Sequence, residues 1–311
     1  MDNTESDFRT NSRVMQFIIW FLFIAAGFGV CARLGIKYAM THALALDDKL
    51  IISSLVVYLG QCIAISIAVS TYTTPPSSNA PGEDSMKAQY ASVPLMILAL
   101  ALVKWSNYAF IRQLSPKHQY KRAALALAAV VGLWLVSAAL AGLLQCVLPK
   151  PWDSSDTSHC INRRAWWAFV VVLNILTDIC LVGLYFFIIV GLQVPRTKKT
   201  VIIVAFSTRL VVVGIALAQL TASRVSGQQV GITPNSRLSL ALNQAMLGFS
   251  VITACIPYLK PFMQGLQAGV NRVDNTSQYE DELIRLPQPP TSSRSSETHW
   301  STRGDQRPRA Y

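Results

Sequence analysis

The stretch AWWAFVVVLNILTDICLVGLYFFIIVG, Ala165 to Gly191, is apolar for about seven helical turns except at Asn174 and Asp178 near its middle. Its length and composition suit a helix that crosses a bilayer. A carboxylate at membrane depth costs about 2.5 to 3.5 kcal/mol on insertion scales, so it faces a helix bundle or a polar cavity and not lipid. Asn174 and Asp178 are four residues apart and share one helix face. That face is expected to join a polar layer inside a larger bundle.

Working outward, six further stretches are long and apolar enough to span: Val14 to Ile36, Leu50 to Ser70, Ala91 to Ile111, Ala123 to Leu148, Val201 to Ala222 and Leu238 to Leu259. The composition agrees, with 52% hydrophobic and only 14% charged residues, against about 25% charged in soluble domains. The expected fold is all-α and polytopic, with seven transmembrane helices. Residues 1–13 read as an extracellular amino-terminal tail, 14–262 as the membrane domain and 263–311 as a cytoplasmic tail. From about Gln278 the chain is rich in Ser, Pro, Gln and Arg and poor in aliphatic residues, which predicts disorder. The first apolar run follows Arg9 and Arg13 and is long enough to span, so it reads as a retained helix with no cleavable signal peptide. Thr71 to Tyr90, with Pro75, Pro76, Pro81 and Gly82, reads as a loop.

The net charge of +11 raises the prospect of nucleic acid, but the basic residues fall mainly in short loops and the tail, where positive-inside topology accounts for them. Arg33, Lys37, Lys49, Arg112, Lys117, Lys121, Arg122, Arg196, Lys198, Lys199, Lys260 and Arg272 share one side and outnumber the bases on the other. That side is expected to be cytoplasmic, with the amino terminus outside and the carboxyl terminus in the cytoplasm. The same topology puts Cys146 and Cys160 together in an oxidising compartment, where a disulfide would close a loop worth about 3 kcal/mol. The sequon at Asn275 falls on the cytoplasmic side and is expected to stay unmodified.

Two more ionisable residues interrupt apolar runs: Lys104 in the third span and Arg209 in the sixth. At 1.5 Å per residue they lie about 12 and 14 Å from the cytoplasmic edge, with Asp178 at about 20 Å, Gln61 at about 18 Å and Asn243 and Gln244 at about 22 Å. Asn107 and Tyr108 extend a polar stripe from Lys104 at i+3 and i+4. Asp178 paired with Arg209 or Lys104 holds the bundle together, with Lys104 snorkelling part of the way out, or else these groups line a cavity for a small apolar or amphipathic molecule. A proton-relay or transport pathway is the third reading.

Several short motifs recur in a particular order: Asp47-Asp48 opening the second helix, Lys104-Trp105-Ser106 in the third, Cys146 with Pro149 and Trp152 ahead of Cys160, Asn174 with Asp178, Phe206 with Arg209-Leu210, and Ala254-Cys255-Ile256-Pro257. In these the chain resembles the fungal rhodopsin-like seven-helix family of integral membrane proteins, over about Phe17 to Phe262. The resemblance implies seven helices with the amino terminus outside. Some members of that family look like cell-surface receptors coupled to G proteins, and others belong to secondary-metabolite pathways. The chain departs from the family pattern at Lys49, where Trp is usual, in Thr71 to Tyr90, where a Gly-rich, His-containing segment is usual, and at Asn243 or Gln244, where a Glu is common.

A retinal Schiff base needs a lysine deep in the last helix, and the seventh span offers only Lys260 beyond Pro257, so no chromophore or other cofactor is expected. His42, His118, His159 and His299 are scattered, and no metal site is expected. Asp47 and Asp48 read as a helix cap and a first-turn acid rather than metal ligands.

Two functions follow. A receptor in the plasma membrane or an endomembrane would bind its ligand among Asp178, Asn174, Lys104, Asn107, Tyr108, Arg209, Asn243 and Gln244 and engage a cytoplasmic signalling protein, its serine-rich tail open to phosphorylation. Against it, no acid sits beside Arg112 at the end of the third span. A membrane-embedded tailoring enzyme of secondary metabolism would use Asp178 as acid or base, with Lys104 or Arg209 stabilising negative charge.

Overall fold

The computed structural model describes residues 2–42, 45–71, 83–114, 118–144, 162–190, 208–225 and 238–257. These form seven helices: α1 (Asp2–Thr41), α2 (Leu46–Thr71), α3 (Glu83–Leu114), α4 (His118–Leu143), α5 (Arg163–Val190), α6 (Arg209–Val225) and α7 (Leu238–Pro257), with no strand among the described residues. Six of them are long and apolar enough to cross a membrane, and α6 is described over a shorter length. The protein is a multi-pass membrane protein.

α1, α2, α4, α5 and α6 each bury one stripe and turn an apolar face outward, whereas α3 exposes no large apolar side chain. On α1, Met15, Ile19, Ala26, Val30 and Arg33 face inward, while Phe17, Phe21, Ile24 and Phe28 are exposed at the opposite helical spacing. Exposed aromatic and aliphatic side chains cost nothing against lipid, so this pattern marks the bilayer-facing surface. The helix ends at His42, which adopts a left-handed φ of 50° and donates its N–H to the Tyr38 carbonyl, a turn that stops propagation.

Two helices start well ahead of the expected spans. α1 begins at Asp2 instead of Val14, and α3 begins at Glu83 instead of Ala91. The prolines and Gly82 of the preceding segment obscured the second start. Glu83 and Asp84 favour a helix amino terminus, and Ser85 ties the new turns to α2 by donating to the Ala68 carbonyl at 3.2 Å. Glu83 to Tyr90, read as loop, is therefore helix. α2 and α5 begin as a capping argument requires: the Asp48 carboxylate accepts the Ala45 N–H at 2.9 Å, and Asn162 Oδ1 accepts the Ala165 N–H at 3.2 Å.

Consecutive helices pack from α1 through α5, and α5 packs on α6. α7 closes the bundle against α1, α2 and α5. A Cβ on Gly248 would lie 3.2 Å from Tyr58 Oη and 3.3 Å from Leu22 Cβ, Gln244 bonds Gln61 of α2, and Met246 meets Asn174 of α5. α4 and α5 meet at Gly142, where a Cβ would stand 2.9 Å from Trp166 Cζ2.

Candidate functional site

Three consecutive residues of α3 bond in three directions. Lys104 reaches α5, Trp105 Nε1 donates to the Ala128 carbonyl of α4 at 3.0 Å, and Ser106 Oγ donates to the Asp47 carbonyl of α2 at 2.8 Å. A rotation of about 100° per residue puts Lys104 and Ser106 on opposite sides of the helix at nearly the same depth. α3 therefore separates two buried charged clusters.

The first lies among α3, α5 and α6. Lys104 Nζ stands 2.7 Å from Asp178 Oδ1, and Arg209 Nη1 donates to the same oxygen at 3.0 Å. Lys104 also donates to the Asn174 carbonyl at 3.1 Å, which Thr177 Oγ1 bonds as well at 2.9 Å. All three charged side chains are 3% exposed or less. Lys104 points into this layer and does not reach toward the cytoplasm as one of the sequence readings allowed. Beside it, Asn107 Nδ2 donates back to the Val103 carbonyl at 2.6 Å and Asn107 Oδ1 accepts from Tyr185 Oη at 3.4 Å. Asn174 Nδ2 points to Met246 Sδ of α7 at 3.6 Å.

Charge sets this cluster apart. One carboxylate faces two cations, leaving one surplus positive charge. Three buried polar atoms around it also lack a hydrogen-bond partner among the described residues: Arg209 Nη2, Asn174 Oδ1 and Tyr108 Oη. Buried charge and unpaired polar atoms are each costly, and native proteins leave few of either without cause.

The second cluster lies among α1, α2, α3 and α7. Arg33 Nη2 bonds Asp47 Oδ2 at 2.9 Å and Ser106 Oγ at 3.1 Å, and its Nη1 donates to the Ala254 carbonyl at 3.2 Å. Lys37 Nζ stands 2.9 Å from Asp47 Oδ1 and 2.6 Å from Asp48 Oδ2, and Gln113 Nε2 donates to Asp47 Oδ1 at 2.8 Å. Among the described residues two acids meet two bases, so the charges balance, although Asp48 Oδ1 makes no hydrogen bond and stands 3.7 Å from Arg33 Nε. In the sequence Asp47 and Asp48 read only as a cap and first-turn acid, and Arg33 as a cytoplasmic-side base near the end of the first span; the structure buries Arg33 completely. The available signal was the i, i+4 spacing of Arg33 and Lys37 on one face of α1, with an acidic pair just beyond the short turn.

The amides expected at similar depth do not join the Asp178 cluster. Gln244 Nε2 donates to Gln61 Oε1 at 3.2 Å. Asn243 belongs to a third group around Gln219, whose amide, turned to satisfy its neighbours, donates to Asn243 Oδ1 at 3.2 Å and accepts from Trp167 Nε1 at 3.1 Å. Depth along the axis put these residues in one band, and their azimuth separates them. Cys146, Cys160 and Lys260 lie outside the described residues. Among the described residues no three His, Cys, Asp or Glu side chains gather as metal ligands.

The cluster can bind or polarise an acceptor group through Lys104 and Arg209, and Asp178 can hold or take a proton. Residues 32–265 match the family model of the fungal rhodopsin domain. No curated protein matches the chain.

Proposed function

The chain belongs to the fungal rhodopsin domain family, and from that premise we propose that it is a receptor-like membrane protein that binds a small amphipathic molecule in the polar layer around Asp178. Lys104, Asn174, Arg209, Asn107 and Tyr108 contribute to the site, and Asn243 and Gln244 serve helix packing at a distance from it. The observation that carries the reading is the incomplete pairing of the layer: a surplus cation with three unpartnered polar atoms. A cluster whose only task is to hold helices together gains from balanced charge and full pairing, whereas a binding site keeps bonds in reserve for its ligand. The amino terminus faces outside, a reading supported by the basic residues of the loops between spans. A cytoplasmic signalling protein then reads the ligand-dependent state of the bundle.

The enzyme reading is favoured by one feature. Asp178 is held by two cations through one oxygen, as an acid or base kept in place beside charge-stabilising groups would be. Metabolites from strains with the gene intact, deleted, or carrying Asp178→Asn or Arg209→Gln separate the two, with variant protein in the membrane fraction matched to wild type. A receptor is expected to alter many compounds under transcriptional control, with both variants behaving like the deletion. One accumulating precursor, converted by membranes that hold the intact protein, would establish the enzyme instead. Full function in both variants would contradict either reading.

A further inference from the structure

Resting on the ligand-site reading of the polar layer, we infer that the layer takes an organic anion, a carboxylate or an equally acidic enol, with a hydroxyl or N–H donor next to it. Each requirement comes from a different atom. The surplus positive charge left by Lys104 and Arg209 against Asp178 among the described residues calls for one negative charge at a buried site, where solvent screens little. Arg209 is 2% exposed, and its Nη2 has no partner among the described residues, so a fork that already holds Asp178 through Nη1 has a second tine to offer a second anion. Tyr108 Oη, 1% exposed and without a partner among the described residues, lies one turn beyond Lys104 on the same face of α3 and supplies a second donor. Asn174 Oδ1 makes the opposite demand. Its amide nitrogen is turned toward Met246 Sδ, which leaves the oxygen as a bare acceptor that only a donor on the ligand can fill.

Simpler occupants meet only part of this pattern. A halide satisfies the charge and the two donors but leaves Asn174 Oδ1 unpaired. A neutral alcohol satisfies Asn174 and leaves the charge. A molecule carrying an acidic oxygen and an adjacent hydroxyl meets all three, and its apolar remainder is compatible with the aliphatic faces of α5 and α7, where Ile175 and Leu247 are buried. The hydroxy acid comes either from the aqueous phase or from the bilayer, and its chain length distinguishes them.

The test uses the full chain in nanodiscs of zwitterionic lipid at constant chloride, with binding read from the ligand dependence of the unfolding midpoint. The probes are 2-hydroxydecanoate, its primary amide, decanoate and lactate. The hydroxy acid is expected to bind at least about tenfold more tightly than its amide, the gap produced by one charge-assisted bond. Arg209→Gln is expected to bring acid and amide within about twofold, and Asn174→Ala to remove the advantage of 2-hydroxydecanoate over decanoate while keeping the preference for acid over amide. Lactate competing as well as the long acid would mark a water-borne ligand, and no competition by lactate a bilayer-borne one. Equal binding of acid and amide, unchanged in Arg209→Gln, would overturn the anion and leave the ligand site standing. Failure of every probe would also overturn it, and the metabolite comparison, which needs no probe, then decides the site reading separately.

Discussion

The two charged clusters flanking α3 are made of the same kinds of side chain, buried in both apart from the partly exposed Lys37, yet they are finished differently. On the α1–α2 side, Arg33 and Lys37 meet Asp47 and Asp48, with Gln113, Ser106 and the Ala254 carbonyl adding further bonds. On the α5–α6 side, Lys104 and Arg209 share one oxygen of one carboxylate, and unpartnered atoms surround them. Burial alone does not reveal what a charged group does in a membrane protein. The state of its partners does: balance points to architecture, and imbalance points to an occupant that arrives from elsewhere.

The largest effect expected from this contrast is on stability at the balanced cluster. Asp47→Asn leaves Arg33 and Lys37 without their shared carboxylate and should cost about 3 to 5 kcal/mol, measured as loss of folded protein from the membrane fraction and a lowered unfolding midpoint. A cost under about 1 kcal/mol would erase the distinction between the clusters. Asp178→Asn comes next, at about 3 kcal/mol, because two cations then face an amide. A double-mutant cycle with Arg209→Gln should recover a coupling of about 1 to 3 kcal/mol between them, and no coupling would mean that the 3.0 Å contact carries no energy. Ser106→Ala removes one bond donated to the Asp47 carbonyl and one accepted from Arg33, a loss of about 1 to 2 kcal/mol in the same unfolding assay. Arg209→Gln is expected to cost least, under about 1 kcal/mol, since it takes away the surplus charge and leaves Lys104 paired with Asp178.

The helices were legible because a bilayer demands long apolar runs, and Asp178, Lys104 and Arg209 were legible because a charge inside such a run is expensive. Arg33 was not. It lies three residues before the end of the expected first span, where a base normally reaches out to the headgroups, and only the fold shows that Asp47 turns it inward. The early start of α3 was hidden by prolines that end just before it. Asn243 and Gln244 show a further limit. Neighbours in sequence, they point about 100° apart, toward Gln219 and Gln61, and the depth of a residue says nothing of the direction it faces. The unpartnered atoms were beyond sequence reading altogether, because whether Tyr108, Asn174 and Arg209 find partners depends on the packing of four helices.

The difference between the clusters is tested most directly by the unfolding midpoints of Arg209→Gln and Asp47→Asn, measured side by side in the same lipid and without added ligand. Arg209→Gln should stay within about 1 kcal/mol of wild type or exceed it, while Asp47→Asn falls by about 3 to 5 kcal/mol. Equal and large losses in both would show that the α5–α6 cluster is a structural lock like its neighbour, and would contradict its assignment as a ligand site.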